Sequence, residues 1–408
     1  MSRSIVAESV RNRHHRRLNA FGQVALGVTA VGIPTLSIPG IADAYVLPRA
    51  IVLLAGGTLS LTVAVLLRQV SLGPLIVPGL LVAIAAIVAG IFSIDRAVSL
   101  VGAPGRLDGV AERLGYLALF GAAVSLLRNG QDRRRLLSLF LLGCVALAVD
   151  SVVQSVATAG ARADANLGSP VLLGALLAMA VPVVVARGLR NWRWFGLMPL
   201  LSAGLLASGT RSAWFGGLIG LLAVLLLTFR QHLVMTAAGA IVILLGTSIG
   251  LAITPVRNLN QDPGTARIHI WNDALHMAAA RPITGWGEDT MGEAFGQFVT
   301  GDWEHGAAFD RAHSEPLDLW IAQGATGVVA IGWFWLTWWK GLLRNRRREE
   351  IVGILGLWIA YATWALLNFD WVAATGPLWL LAAVAWSSGH AVPERAAAPN
   401  ISGPRSGV

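Results

Sequence analysis

In AHSEPLDLW, Ala312 to Trp320, a histidine, a serine and two carboxylates stand immediately before a long apolar run. An imidazole in that position can take a proton from an attacking hydroxyl. Ser314 can cap the helix that the run begins, Pro316 is tolerated in its first turn, and Asp318 complements its positive end. His313 is then left just outside the helix as a proton acceptor, with Glu315 beside it to orient the ring or hold hydroxyl groups. The same residues also make an ordinary capping cluster, so the histidine needs partners elsewhere in the chain.

Arginine supplies them. In LLASGTRSAWFGG, Arg211 occupies a turn so tight that its two flanking apolar runs are almost continuous. Its guanidinium therefore lies at or just inside a membrane boundary, where an unpaired charge is costly and an anionic partner is favoured. Arg267 opens RIHIWNDALHMAAARP, and Arg311 stands two residues before His313. A planar guanidinium stays charged and donates paired hydrogen bonds, which suits a phosphate-bearing group. Two other patterns carry less. His269, Asp273 and His276 share a helical face at spacings of four and three, which would present ligands to one ion. Without a neighbouring cysteine or an HExxH pattern they read as a solvated face, and neither a metal nor another cofactor is expected. TGWGEDTMG holds half of a dinucleotide fingerprint, but no strand precedes it. It reads instead as a turn that shapes a groove.

The elements that must position these residues are membrane helices. A chain of 408 residues with 55% hydrophobic and 13% charged residues cannot hide its apolar surface in one aqueous core. About twelve apolar runs approach spanning length, which predicts an all-α, polytopic membrane protein. Residues 1–19 form a basic N-terminal segment and 20–253 carry nine spans. A long polar segment over 254–315 contains the helix of RIHIWNDALHMAAARP, with Ile268, Trp271, Leu275 and Ala278 as its apolar face. Three more spans over 316–390 and a tail over 391–408 complete the chain. The first run reads as an uncleaved span rather than a signal peptide.

All but ten of the 31 Lys and Arg fall in alternate loops, among them Arg3 to Arg17, Arg128 to Arg135 and Lys340 to Arg348. Loops rich in basic residues stay cytoplasmic. Both termini are therefore expected in the cytoplasm and the 254–315 segment outside. The ten outer arginines, Arg106, Arg113 and Arg162 among them, read mostly as solvated or snorkelling charge. The net charge of +9 sits in short clusters between apolar runs, which points to topology and away from nucleic acid. Cys144 lies inside an apolar run and is expected to pack. A transporter for lipid-linked substrates is the alternative of a different class. It would place its charges near the bilayer midplane in paired repeats, and no inverted repeat is evident.

Three blocks in order, SGTRSAWFG, RIHIWNDALHMAAARPITGWG and AHSEPLDLWIAQGATG, resemble the signature blocks of the O-antigen ligase and O-antigen polymerase family. APGRLDGVAERLGY and RADANLGSPVLLGA are also similar to stretches of its members. The chain departs from the usual pattern at Ser314, where Asn is frequent, and at Ser169, where LGSP replaces a commoner Gly-Asn-Pro. The resemblance implies a GT-C-type membrane glycosyltransferase of the bacterial inner membrane, surrounded by membrane lipids and active on the outer face. It implies a glycan donor carried on undecaprenyl pyrophosphate and an acceptor that is lipid A-core, another glycan or another surface molecule. Arg211 and Arg267, with Arg311 as a third cation, would hold the pyrophosphate. His313 would be the general base of an inverting, metal-independent displacement, and Glu315, Asn368, Asp370 and Trp286 would support it.

Overall fold

A computed structural model describes residues 2–158, 161–229, 265–300, 309–345 and 348–390 of the chain. Among the described residues the secondary structure is helical throughout, without strands. The principal helices are α1 (Ser2–Thr35), α2 (Val46–Leu66), α3 (Ile76–Ile91), α4 (Arg96–Val101), α5 (Val110–Leu126), α6 (Gly130–Ala157), α7 (Pro170–Gly188), α8 (Met198–Ala207) and α9 (Arg211–Thr228). They continue with α10 (Thr265–Ala280), α11 (Met291–Ala294), α12 (Glu315–Leu343), α13 (Glu349–Ala365) and α14 (Val372–Gly389).

Eight helices among the described residues are long and apolar enough to cross a membrane: α1, α2, α3 with the turn before it, α6, α7, α9, α12 and α14. Helices α5, α8 and α13 are shorter but fill the places where apolar runs were expected. The ninth expected span, Leu233 to Ile253, lies outside the described residues. Helices α7 and α14 are almost wholly enclosed by protein. Both are apolar on every face, which is the pattern of a helix at the centre of a bundle.

Around that centre α7 packs on α9 and α13, α14 on α5, α1 on α2 and α6, and α12 on α3. Small residues set the closest crossing. Gly216 and Gly220 on α9 face Ala360 and Gly356 on α13, and a Cβ on either α9 glycine would meet a backbone oxygen at 2.5 Å. Such small-residue seams let membrane helices approach backbone to backbone. Here the seam locks the helix that begins at Arg211 against the helix that leads to Asn368.

Helix α10 appears where RIHIWNDALHMAAARP predicts it and stops before Pro282. Its buried face differs from the expected one. Ile270, Asp273, Ala274, Met277 and Ala278 point inward, whereas Ile268 and Leu275 are exposed. The reason lies in its neighbours: α10 packs on the start of α12 and on the segment around Phe295 and Phe298, forming a satellite core outside the bundle.

Candidate active site

Local bonds fix the start of α12 before any long-range packing does. Ser314 occupies the N-cap position, but its side chain caps nothing. Asp318 takes that role from inside the first turn: its carboxylate accepts the backbone amides of Ala312 at 2.7 Å and Ser314 at 3.3 Å. The chain between those two amides turns sharply, and His313 sits in the left-handed region at φ 54°. A non-glycine residue held there costs energy that surrounding structure must repay. Three neighbours do so. The indole of Trp271 on α10 donates to the Ala312 carbonyl at 2.9 Å, and the Glu315 amide donates to the Asn368 carbonyl at 2.9 Å. The imidazole itself lies 5.3 Å from the ring of Phe369, tilted by 58°.

Further along, α12 is broken at Gly324, whose φ is 63° and ψ −163°. The TGWGEDTMG segment enters this break. Trp286 and Gly287 donate their amides to the carbonyls of Ile321 and Ala322 at 2.8 and 3.0 Å. Ala325 and Thr326 in turn donate to Pro282 and Ile283 at 2.8 and 3.2 Å. Four backbone bonds thus bridge the break, and partners of this kind are the condition for irregular backbone in a spanning helix. Gly285 adopts φ 71°, and a Cβ there would collide with the Ala322 carbonyl. The glycines thus fit the turn to the helix backbone.

The turn also carries two acids into a buried charged network. Glu288 and Asp289 are buried, as are Asp108, Glu112, Arg311, Asp318 and Asp370. Arg113, near the start of α5, pairs with Asp370 and lies 3.5 Å from both Asp108 and Glu288 and 3.8 Å from Glu315. Arg311 pairs with Asp108 at 2.6 Å and Asp289 at 3.1 Å. Arg106 bonds Asp289 at 2.7 Å.

Carboxylates outnumber guanidinium groups, and burial favours the protonated form of several of them. Burial, reinforced by Asp108 and opposed by Arg113, pushes Glu288 up to about 7. Burial also raises Asp289 and Asp370 above the usual carboxylate range, against the pull of Arg311 and Arg113 respectively. Asp108 is the exception: burial pushes it up, yet Arg113 and Arg311 together outweigh that and hold it low.

The expected cations divide into two kinds. Arg211 is exposed in the first turn of α9, directly after the Gly209 turn at φ 60°. Arg162 braces that turn by donating to the Ser208 carbonyl at 3.0 Å and the Thr210 hydroxyl at 3.2 Å. Ser212, next along α9, accepts from the Asn368 amide at 2.9 Å. Arg267 is half-buried on α10, one turn before Trp271 and on the same face. Both arginines therefore stand on helices tied to the His313 turn, one through Asn368 and the other through Trp271. Arg311 is different. It turns inward, is 5% exposed, and its guanidinium is engaged by two carboxylates.

Glu315, Asn368 and Asp370 all join the site. The Glu315 carboxylate accepts the Asp370 amide at 3.0 Å, and both acids border a cavity of about 410 Å³ between α12 and α13. Trp286, expected among the supporting residues, is packed into the satellite core. It is enclosed against Phe298, donates to the Met277 carbonyl at 2.8 Å, and has the Arg281 guanidinium 4.3 Å above its ring. Asp273, from the face considered for metal, accepts from Thr300 at 2.6 Å. No cluster suited to a metal ion occurs among the described residues.

Arg106, Asp108, Glu112, Arg113, Glu288 and Asp289 were not expected at the site. The signal lay in RLDGVAERLGY, where Glu112 and Arg113 adjoin an apolar run. By hydropathy the run begins at Leu114, and both charges fall in the preceding loop. Because α5 begins at Val110, they lie inside a bundle helix, where an ionisable residue marks a functional or paired position.

Residues 195–332 match the family model described as O-antigen ligase. That stretch runs from before α8 through the first half of α12, and it contains Arg211, Arg267 and His313. The match supports the resemblance to the O-antigen ligase/polymerase family over that stretch and, in general terms, a membrane glycosyltransferase activity of that type. Comparison with curated proteins gives no match.

Proposed function

We propose that this protein transfers a glycan from undecaprenyl pyrophosphate to an acceptor hydroxyl at the outer face of the bacterial inner membrane. The observation that carries the reading is the joining of three elements: the Arg211 turn and the Arg267 helix are both tied to the turn that holds His313. In the proposed step His313 accepts the hydroxyl proton as the acceptor oxygen attacks the anomeric carbon. The bond from that carbon to the pyrophosphate oxygen breaks, and its electron pair leaves with the pyrophosphate. Arg211 and Arg267 meet the charge that develops on the leaving group. A single displacement inverts the anomeric centre.

Arg311 takes a bracing part in this reading, because its guanidinium is engaged by Asp108 and Asp289. Ligation and polymerisation use the same step and differ in what carries the hydroxyl. A transporter would need its charges deep in the bundle, whereas the paired and exposed charges here gather where α5, α9, α12 and α14 begin.

The test is direct. Purified protein in lipid nanodiscs is incubated with a pyrophosphate-linked glycan and competing acceptors, and the product is read by mass spectrometry. Transfer with inversion is expected. Intact donor moved across the bilayer without transfer would remove the enzymatic reading.

A further inference from the structure

Helices α12 and α13 follow one another in the chain yet choose different partners, α12 packing on α3 and α13 on α9 and α7. The cavity left between them measures about 410 Å³, within the roughly 300–1,000 Å³ of small-molecule sites. Its body is aromatic and apolar, with Trp335 from α12, Trp358 from α13 and Trp379 from α14. Val328 and Leu366 border it and are themselves 40% and 55% exposed, so it opens sideways between the helices. In a membrane that opening faces lipid. At its other end stand Arg113, Glu315 and Asp370, and Glu315 is two residues from His313.

The charge at that end decides which amphiphile fits. One guanidinium, Arg113, is shared among Asp370, Glu315, Glu288 and Asp108. A pyrophosphate placed there would meet an excess of acids. A neutral head rich in hydroxyls would instead find carboxylate oxygens to accept its hydrogen bonds. The arginines proposed to meet a pyrophosphate, Arg211 and Arg267, lie on other elements, α9 and α10.

We propose that the crevice between α12 and α13 binds the lipid chain of the acceptor, a glycolipid with a neutral, hydroxyl-rich head that enters sideways from the bilayer. This rests on the transfer reading for the word acceptor, but the binding itself does not depend on turnover. The site takes the hydroxyl-bearing partner tail-first, which leaves its head against Glu315 and Asp370 and next to His313.

Gly332 gives a clean probe. It borders the crevice on α12, and a Cβ built there meets no atom within 4 Å. Gly332→Leu therefore fills the cavity without disturbing the helix, whose propensity it improves. Full-length protein in nanodiscs is titrated with a neutral alkyl glycoside brominated along its chain, and quenching of tryptophan fluorescence is followed. Saturable quenching is expected in the unaltered protein, with affinity at least about tenfold weaker in Gly332→Leu.

Quenching that is absent, or equal in the two proteins, overturns the proposal. So does displacement of the brominated glycoside by geranylgeranyl pyrophosphate at lower concentration than by the unbrominated glycoside, since the crevice would then belong to the donor chain. A parallel transfer assay keeps the two readings apart. Loss of the transfer reading would leave the quenching difference in place and remove only the role of acceptor, whereas loss of the quenching difference leaves transfer standing.

Discussion

The side-chain amide of Asn368 donates to the Ser212 hydroxyl at 2.9 Å, while the backbone carbonyl of the same residue accepts the Glu315 backbone amide at 2.9 Å. One residue thus joins the N-terminus of α9, which bears Arg211, to the N-terminus of α12, which follows His313. Asn368 is buried, and its amide also donates to the Trp364 carbonyl at 2.8 Å. Neither of its donors is left without a partner.

Replacing Asn368 by Ala leaves Ser212 and Trp364 without that partner, which should cost about 1–3 kcal/mol of stability. Turnover should fall further than that loss of folded protein explains, because the two walls of the site separate. Paired thermal melts and transfer rates on the same preparation check it. A folded variant with normal turnover would show that the walls need no tie.

His313→Ala should lower turnover about a hundredfold to ten-thousandfold, the usual cost of removing a general base. Donor binding, measured separately by equilibrium titration, should stay close to that of the unaltered protein. Full activity would reduce AHSEPLDLW to a helix start.

Arg211→Ala and Arg267→Ala should each weaken use of the pyrophosphate-linked donor, and Lys should restore each only in part, because a point charge cannot reproduce the planar fork. Arg311→Ala should behave differently. Asp108 keeps Arg113 and Asp289 keeps Arg106, yet removing the guanidinium they share should still cost about 1–3 kcal/mol of stability, so its defect should appear first in the melting temperature. If Arg311→Ala kept its melting temperature and lost only donor binding, Arg311 would return to the pyrophosphate site.

Glu288 makes stability depend on pH in a specific direction. Its folded value lies near 7 against an ordinary 4.5, so the folded protein holds this proton more tightly than the unfolded chain does. The stabilising contribution is complete below about pH 4.5 and is lost as pH rises through about 7. Glu288→Gln should flatten the melting temperature across that interval. An unchanged slope would assign the pH dependence to other groups.

Gly285→Ala and Gly324→Ala both force a side chain into positive φ and against backbone, Ala322 in the first case and Ile283 in the second. Strain of this kind costs about 1–3 kcal/mol before the steric clash is added. Both variants should be less stable and slower in transfer, although neither residue touches a substrate in the proposed step. Thermal melts with transfer rates at a permissive temperature provide the check.

Much of the fold was legible because membrane helices write their length in apolar runs. Val46 to Leu67 was expected and α2 covers Val46–Leu66; Leu136 to Ala157 was expected and lies within α6. The helix over RIHIWNDALHMAAARP was legible from its bounds but not from its face. Periodicity identifies a stripe, whereas the neighbour that covers α10 is chosen by a break in α12 more than forty positions away. His313, Arg211 and Arg267 stood out through their local settings. Arg113 did not, because a guanidinium in sequence carries no sign of the four acids that surround it, drawn from segments between Asp108 and Asp370. Trp286 misled for the opposite reason: an indole in a polar segment looks available until its cover is seen.

The break at Gly324 has a bearing on how this protein can be rebuilt. Since residues 282–287 complete the hydrogen bonding of α12, the segment between α9 and α12 is not a cassette that can be exchanged between proteins while the helices stay fixed. A chimera that imports the segment alone would set foreign carbonyls and amides against the Ile321 to Thr326 backbone and shift His313 with them. The smallest transplantable unit runs from α10 to the far side of the break. Within it, His313 and the 282–287 turn would have to change together.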